Sequence, residues 1–181
     1  MIGDESEQDE HYPPRVQKMA EQATLALQDK NWKKAERLLN QALELIPDSP
    51  GLLNNLAVAY GMQGQEEKAE AVIRDIHARF PDYLFARVSV ARMALREGDF
   101  ERAHALLEPM MQRKKLHYSE FNQLVSTFID LYLAEDNRDA AQTWLQLWER
   151  AEPNNPQIPA YRMRMNAPKL GRVLGPGGKK K

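Results

Sequence analysis

The chain has 181 residues, 43% hydrophobic and 28% charged, with a net charge of −1 and no cysteine. That composition excludes disulfide staples and thiolate metal sites, and no apolar run reaches the roughly 20 residues that a bilayer crossing needs. Charge is unevenly spread: Asp4, Glu5, Glu7, Asp9 and Glu10 crowd the start, and no acidic residue follows Glu152.

Residues 1–14 read as a disordered acidic segment, closed by Pro13-Pro14. Such an opening is the reverse of a secretory signal, and the absence of cysteine makes a reducing cytoplasm the expected location. Helices are predicted at 15–28 and 32–45, with Asn31 capping the second. Ser49-Pro50 pairs a cap with a first-turn proline and opens a helix over 50–63. The next helix, 66–79, begins with Glu66-Glu67, which suit the positive end of the helix dipole. Helices at 83–96 and 100–113 are joined through Gly98-Asp99. Pro109 falls inside the second of them, where it should bend or end the helix at a cost of ~3 kcal/mol. Helices at 119–135 and 138–151 follow, the latter capped by Asn137. Asn155-Pro156 opens a short helix at 156–165 that should cover the end of the domain, and 167–181 reads as a disordered basic tail of glycine, proline and lysine.

These helices repeat. Ala35, Ala69 and Ala103 are spaced 34 residues apart, and Pro47 and Pro81 keep the same interval. The first helix of each unit carries Met19-Gln22-Ala23-Ala26, Leu53-Leu56-Ala57-Tyr60, Arg87-Val90-Ala91-Ala94 or Val125-Phe128-Ile129-Tyr132 on one face. The second carries Ala35-Leu39-Ala42, Ala69-Ile73-Ile76, Ala103-Leu107-Met110 or Ala141-Leu145-Trp148. A methyl group at the start of each second helix lets the two rods of a pair approach closely near their turn. Trp148 lies on this stripe and should be buried, whereas Trp144 is expected to pack against the terminal cap. No unit can bury its apolar faces alone, so stacking is the main source of stability.

The pattern resembles the tetratricopeptide repeat family over roughly residues 16–153. Agreement is strongest in the second unit, at Leu53, Leu56, Tyr60, Gly64, Ala69 and Pro81. In the first and fourth units Lys30 and Asp136 stand where glycine is expected, and the third unit is four residues longer, with Lys115 for its closing proline. The resemblance implies an all-α fold: a right-handed superhelical solenoid of about four helix-turn-helix repeats with a short C-terminal capping helix, in a domain spanning 15–166. It also implies an adaptor or scaffold, not an enzyme, that binds a peptide or helix of a partner protein in its concave groove.

In that family the first helices line the concave side. The resemblance places Gln17, Glu21, Thr24 and Gln28 there, followed by Asn54, Asn55, Val58 and Met62. The third unit adds Phe85, Val88, Ser89, Arg92 and Arg96, and the fourth Ser126, Asp130 and Leu133. Of these, Asn54, Asn55, Val58, Met62, Phe85, Ser89, Arg92 and Arg96 are the candidate contact set. Asn55 can clamp a peptide backbone, Arg92 and Arg96 can grip a carboxylate, and Phe85, Val58 and Met62 can form an apolar pocket. The carboxylate clamp that relatives use on chaperone tails is not matched: Ala20, Thr24, Phe85 and Ser89 occupy its other positions, leaving Asn55 alone in agreement.

The basic tail offers an alternative, a nucleic-acid or ribosome-associated factor acting through Lys and Arg on phosphates. Continued stacking between chains, giving a homo-oligomer, is a third reading. His11, His77, His104 and His117 share no metal-ligand spacing, and no nucleophile motif or phosphate loop is visible. Neither a cofactor, a metal nor a membrane partner is therefore expected.

Overall fold

The apolar stripes dictate the elements. The computed structural model describes residues 2–3 and 11–167. Among them the helices are α1 (Pro14–Gln28), α2 (Trp32–Leu45), α3 (Pro50–Met62), α4 (Glu66–Arg79), α5 (Leu84–Glu97), α6 (Phe100–Leu107), α7 (Tyr118–Ala134), α8 (Arg138–Ala151) and α9 (Ile158–Asn166). Successive helices pair as α1/α2, α3/α4, α5/α6 and α7/α8, and the pairs stack in chain order. The fold is an all-α helical repeat solenoid.

Local chemistry sets the boundaries. Asn31, Ser49, Asp99 and Asn137 each accept a hydrogen bond from a backbone N–H in the first turn of the helix that follows. The turns within the four pairs use one left-handed residue each: Lys30, Gly64, Gly98 and Asp136, at φ between 58° and 79°. Lys30 and Asp136 thus adopt the conformation for which the other two units use glycine. A Cβ in this region costs about 1–2 kcal/mol. Lys30→Gly should accordingly raise unfolding stability by about 1 kcal/mol; a urea denaturation midpoint that fails to rise would contradict this.

Pro109 acts as read. Helix α6 stops at Leu107, and residues Glu108–Gln112 tighten into a 3-10 turn. The four extra residues of the third unit then form a loop ending in a short strand, β2 (Leu116–His117). A strand in the N-terminal segment pairs with it: β1 (Ile2–Gly3) runs parallel to β2, and Ile2 packs on the core of the C-terminal half. Of residues 1–14, expected to be disordered, Ile2–Gly3 form β1 and Pro14 opens α1, while 4–10 lie outside the described residues. Alternation in so short a strand leaves no pattern to find. The basic tail after Ala167 lies outside the described residues.

Three apolar clusters follow one another along the stack. Val16, Ala23, Leu39 and Leu52 mark the first, between α1 and α3. Ile73, Ile76, Tyr83 and Val90 mark the second, and Leu107, Phe128, Leu145 and Trp148 the third and largest. Trp148 is fully buried, as expected, and its Nε1–H donates to Asn122 Oδ1 at 2.7 Å. Trp144 stacks on Phe128 at 4.3 Å between ring centres. One turn further on, Trp148 meets Tyr161 of α9 at 5.3 Å.

Position by position, α9 matches the first helix of a fifth unit. Leu52, Leu56 and Ala59 bury the side of α3 that faces the preceding pair. Ala86, Val90 and Met93 do so on α5, and Leu124, Phe128 and Leu131 on α7. On α9 the equivalent residues are Ile158, Arg162 and Met165, two of them buried. On α1 they are Lys18, Gln22 and Leu25, all exposed. Among the described residues, α1 thus carries Lys18 and Gln22 where α3, α5 and α7 present buried apolar side chains.

Candidate functional site

The face on which contacts were expected comprises three recurring positions of the first helices. One series is Ala20, Asn54, Val88, Ser126 and Ala160; its neighbours are Glu21, Asn55, Ser89, Thr127 and Tyr161. The third, one turn further, is Thr24, Val58, Arg92, Asp130 and Arg164. Side chains of the third series point toward the next unit, so their chemistry decides whether adjacent first helices are tied or open.

In the C-terminal half they are tied. Arg92 Nε donates to Thr127 Oγ1 at 2.8 Å and its terminal nitrogen to Ser126 Oγ at 3.0 Å, closing α5 on α7. Asp130 accepts from the Tyr161 hydroxyl at 3.3 Å and pairs with Arg164 at 2.7 Å, closing α7 on α9. Arg138 fastens the end of α9 by donating to the carbonyls of Met165 and Ala167. Burial, reinforced by the Asp130 charge, pushes the Tyr161 hydroxyl above its ordinary pKa, so it stays a neutral donor.

In the N-terminal half they are open. Thr24 turns back and donates its hydroxyl to the Ala20 carbonyl of its own helix at 3.0 Å, and the Val58 side chain has no polar atom. A hollow of about 560 Å³ remains between α1 and α3, lined by Tyr12, Gln17, Ala20, Glu21, Thr24, Leu25, Gly51, Leu52 and Asn55. Another, of about 370 Å³, lies where α5 faces α4 and the end of α3, lined by Gly61, Glu66, Ala69, Glu70, Ile73, Ser89, Arg92, Met93 and Arg96. The first hollow flanks the N-terminal half of α3 and the second its C-terminal end. Between them Val58 and Met62 stand 44% and 55% exposed, one turn apart on a helix with no charged residue.

The expected contact set is thus divided. Asn55 lines the first hollow; Ser89, Arg92 and Arg96 line the second; Val58 and Met62 form the ridge between. Asn54 is half-buried on α3. Phe85 is half-buried and packs with Tyr83 at 5.7 Å against the second core cluster. Val88 and Ser126 are buried, the latter under Arg92. Both arginines are already engaged: Arg92 on the two hydroxyls and Arg96 on Glu70 at 2.6 Å. Sequence reasoning missed Leu25, Glu66 and Glu70. A clue was available for Leu25, an apolar residue at a position where α1 has no preceding unit to cover it.

Among the described residues, no group of three His, Asp or Glu side chains could hold a metal, and no helix is long and apolar enough to cross a membrane. His77 is held below its ordinary pKa by burial and by Arg87 and Arg102; His104 faces Glu135 at 3.0 Å.

Comparison with known proteins agrees with this geometry. A tetratricopeptide repeat family model matches residues 26–89. No curated protein sequence matches the chain. Among solved structures, Pseudomonas aeruginosa PilF is similar with a TM-score of 0.60 at 14% identity, over 82% of this chain and 66% of that one. A Podospora anserina protein of nearly identical TPR-like repeats gives a TM-score of 0.56 at 20% identity, over 87% and 86% of the two chains. A tetratricopeptide repeat protein from Parabacteroides merdae gives 0.51 at 14%, over 84% and 59%. The chain thus spans just under two thirds of PilF, and at these identities the likeness is one of fold.

Proposed function

Since the chain is a tetratricopeptide repeat protein, we propose that it is a protein-interaction scaffold that holds a peptide or helix of a partner on the inner face of α1, α3 and α5. The carrying observation is the contrast between the two halves of that face. Side-chain ties close the C-terminal junctions, while two hollows and an uncharged ridge with exposed Val58 and Met62 are left in the N-terminal half. Exposed apolar side chains flanked by concave, mixed polar surface are what an amphipathic segment needs for docking. Arg92 belongs to the scaffold in this reading, not to the contact set.

A photo-crosslinking benzophenone amino acid placed at position 62 should give a discrete adduct with a partner in cells. The same group at position 37, on the exposed side of α2, should not. Val58→Asp with Met62→Asp should remove the adduct while leaving the circular dichroism spectrum and unfolding midpoint nearly unchanged, because both sites are exposed. Equal labelling from positions 37 and 62 would discard the groove assignment.

A further inference from the structure

We infer that β1 is a clip: docked on β2, it ties the first unit of the stack to the start of the fourth and limits how far the open half of the inner face can spread. The inference concerns the shape of that face and does not depend on what occupies it. β1 precedes α1 in the chain, yet in space it belongs to the other half. There Ile2 packs on the C-terminal core and pairs with Leu116, while Gly3 pairs with His117. Tyr12, just ahead of α1, is a second anchor. It packs on the first core cluster, and its hydroxyl shares a hydrogen bond at 2.9 Å with Ser49, the cap of α3.

The two anchors sit at opposite ends of one row. The turn before α3 meets the end of α4 through the ion pair of Asp48 with Arg79. The turn before α5 is held by Arg113, just ahead of β2, through the Asp82 carbonyl. With Tyr12 on Ser49, these contacts bring the starts of α1, α3, α5 and α7 along a single edge of the array. From Gly3 to Tyr12 the chain can reach roughly 30 Å at full extension, so while both anchors hold they cannot separate farther than that. In the C-terminal half Arg92 and Asp130 already fasten adjacent first helices. Thr24 and Val58, at the matching positions of α1 and α3, make no such tie, and it is across this half that the clip reaches. Tyr12 also lines the first hollow, so one anchor belongs to the surface whose width the clip limits. Release asks for a two-residue ladder and one half-buried side chain to let go, with no helix unfolded.

The chain has no cysteine, so spin labels at Arg15→Cys on α1 and Gln123→Cys on α7, both exposed, report the separation of the two ends by pulsed electron resonance. The otherwise unaltered chain should give one narrow distance distribution. Ile2→Asp should widen it, shift its mean outward and remove the hydrogen-exchange protection of Leu116 and His117; Ile2→Val should do none of these. A Gly/Ser insertion of roughly ten residues after Glu10 adds slack while keeping both anchors. It should widen the distribution as Ile2→Asp does, with β2 still protected. Labels at Gln123→Cys and Met163→Cys, within the tied half, should give the same distances in every variant. An α1–α7 distribution unchanged in both variants would overturn the inference. So would widening by Ile2→Asp alone, because β1 would then support α7 without tying the units, and so would equal widening of the 123–163 pair. Should Ile2→Asp lose helical signal, the insertion decides: widening with β2 protected supports the clip, and no widening overturns it.

Discussion

Trp148→Ala should cost about 3–5 kcal/mol, concentrated in the last two helical layers. The indole is fully buried among α7, α8 and α9, meets Tyr161, and donates to Asn122 Oδ1 at 2.7 Å. Truncation leaves a cavity and takes away that donor; Asn122 still donates to Glu152 at 3.3 Å, but its carbonyl loses its indole partner. In a stack of units each touching only its neighbours, such a loss unfolds the local units first. Hydrogen exchange should show α7–α9 losing protection while α1–α4 keep theirs, and urea unfolding should split into two steps. A uniform loss of protection in every helix would mean the stack unfolds as one block. Because both hollows lie on α1 to α5, partner binding should outlast the C-terminal transition.

Glu120→Ala should be comparably severe, by a different route. Glu120 is fully buried at the start of α7, where its carboxylate accepts from the His117 N–H at 2.8 Å and faces Arg113 at 3.5 Å. Arg113 is itself largely buried and also donates to the Asp82 carbonyl, tying the long third-unit loop to the turn before α5. Removing the acid leaves a buried guanidinium charge uncompensated, which costs about 3–5 kcal/mol. Arg113→Met with Glu120→Ala should therefore be less destabilised than the two single changes added together, by about 2 kcal/mol. Strict additivity in urea denaturation would show that the pair is not energetically coupled. The double variant still lacks the Glu120 contribution to the capping box, so full recovery is not expected.

The fold was legible because it rests on local and periodic signals. The 34-residue recurrence of Ala35, Ala69 and Ala103, the caps at Ser49 and Asn137, and the interrupting Pro109 all report on backbone geometry within one unit. Even Lys30 and Asp136, where glycine was missing, take the left-handed conformation, because the turn between paired helices demands it whatever the side chain. The inner face was only partly legible. Its candidates were placed by register, and register cannot say whether Arg92 reaches outward to a ligand or sideways to Ser126 and Thr127. That choice depends on how closely α5 approaches α7, a non-local distance set by packing. For the same reason Phe85 fell to a core cluster and Trp144 to Phe128. The β1–β2 pairing lay beyond reach altogether: two residues of strand joined across more than a hundred positions leave no local trace.

The polar start of the stack also bears on how such a chain could lengthen. A copied helix pair placed ahead of α1 would have to cover Lys18 and Gln22, where every later pair is met by apolar side chains, save Arg162 on α9. The same copy inserted after α4 would find Leu84, Ala86, Val90 and Met93 ready to receive it. Tandem duplication is thus tolerated inside this array and resisted at its front. Growth after α4 would separate the open and tied halves of the inner face and would rebuild the second hollow, whose lining comes from both α4 and α5.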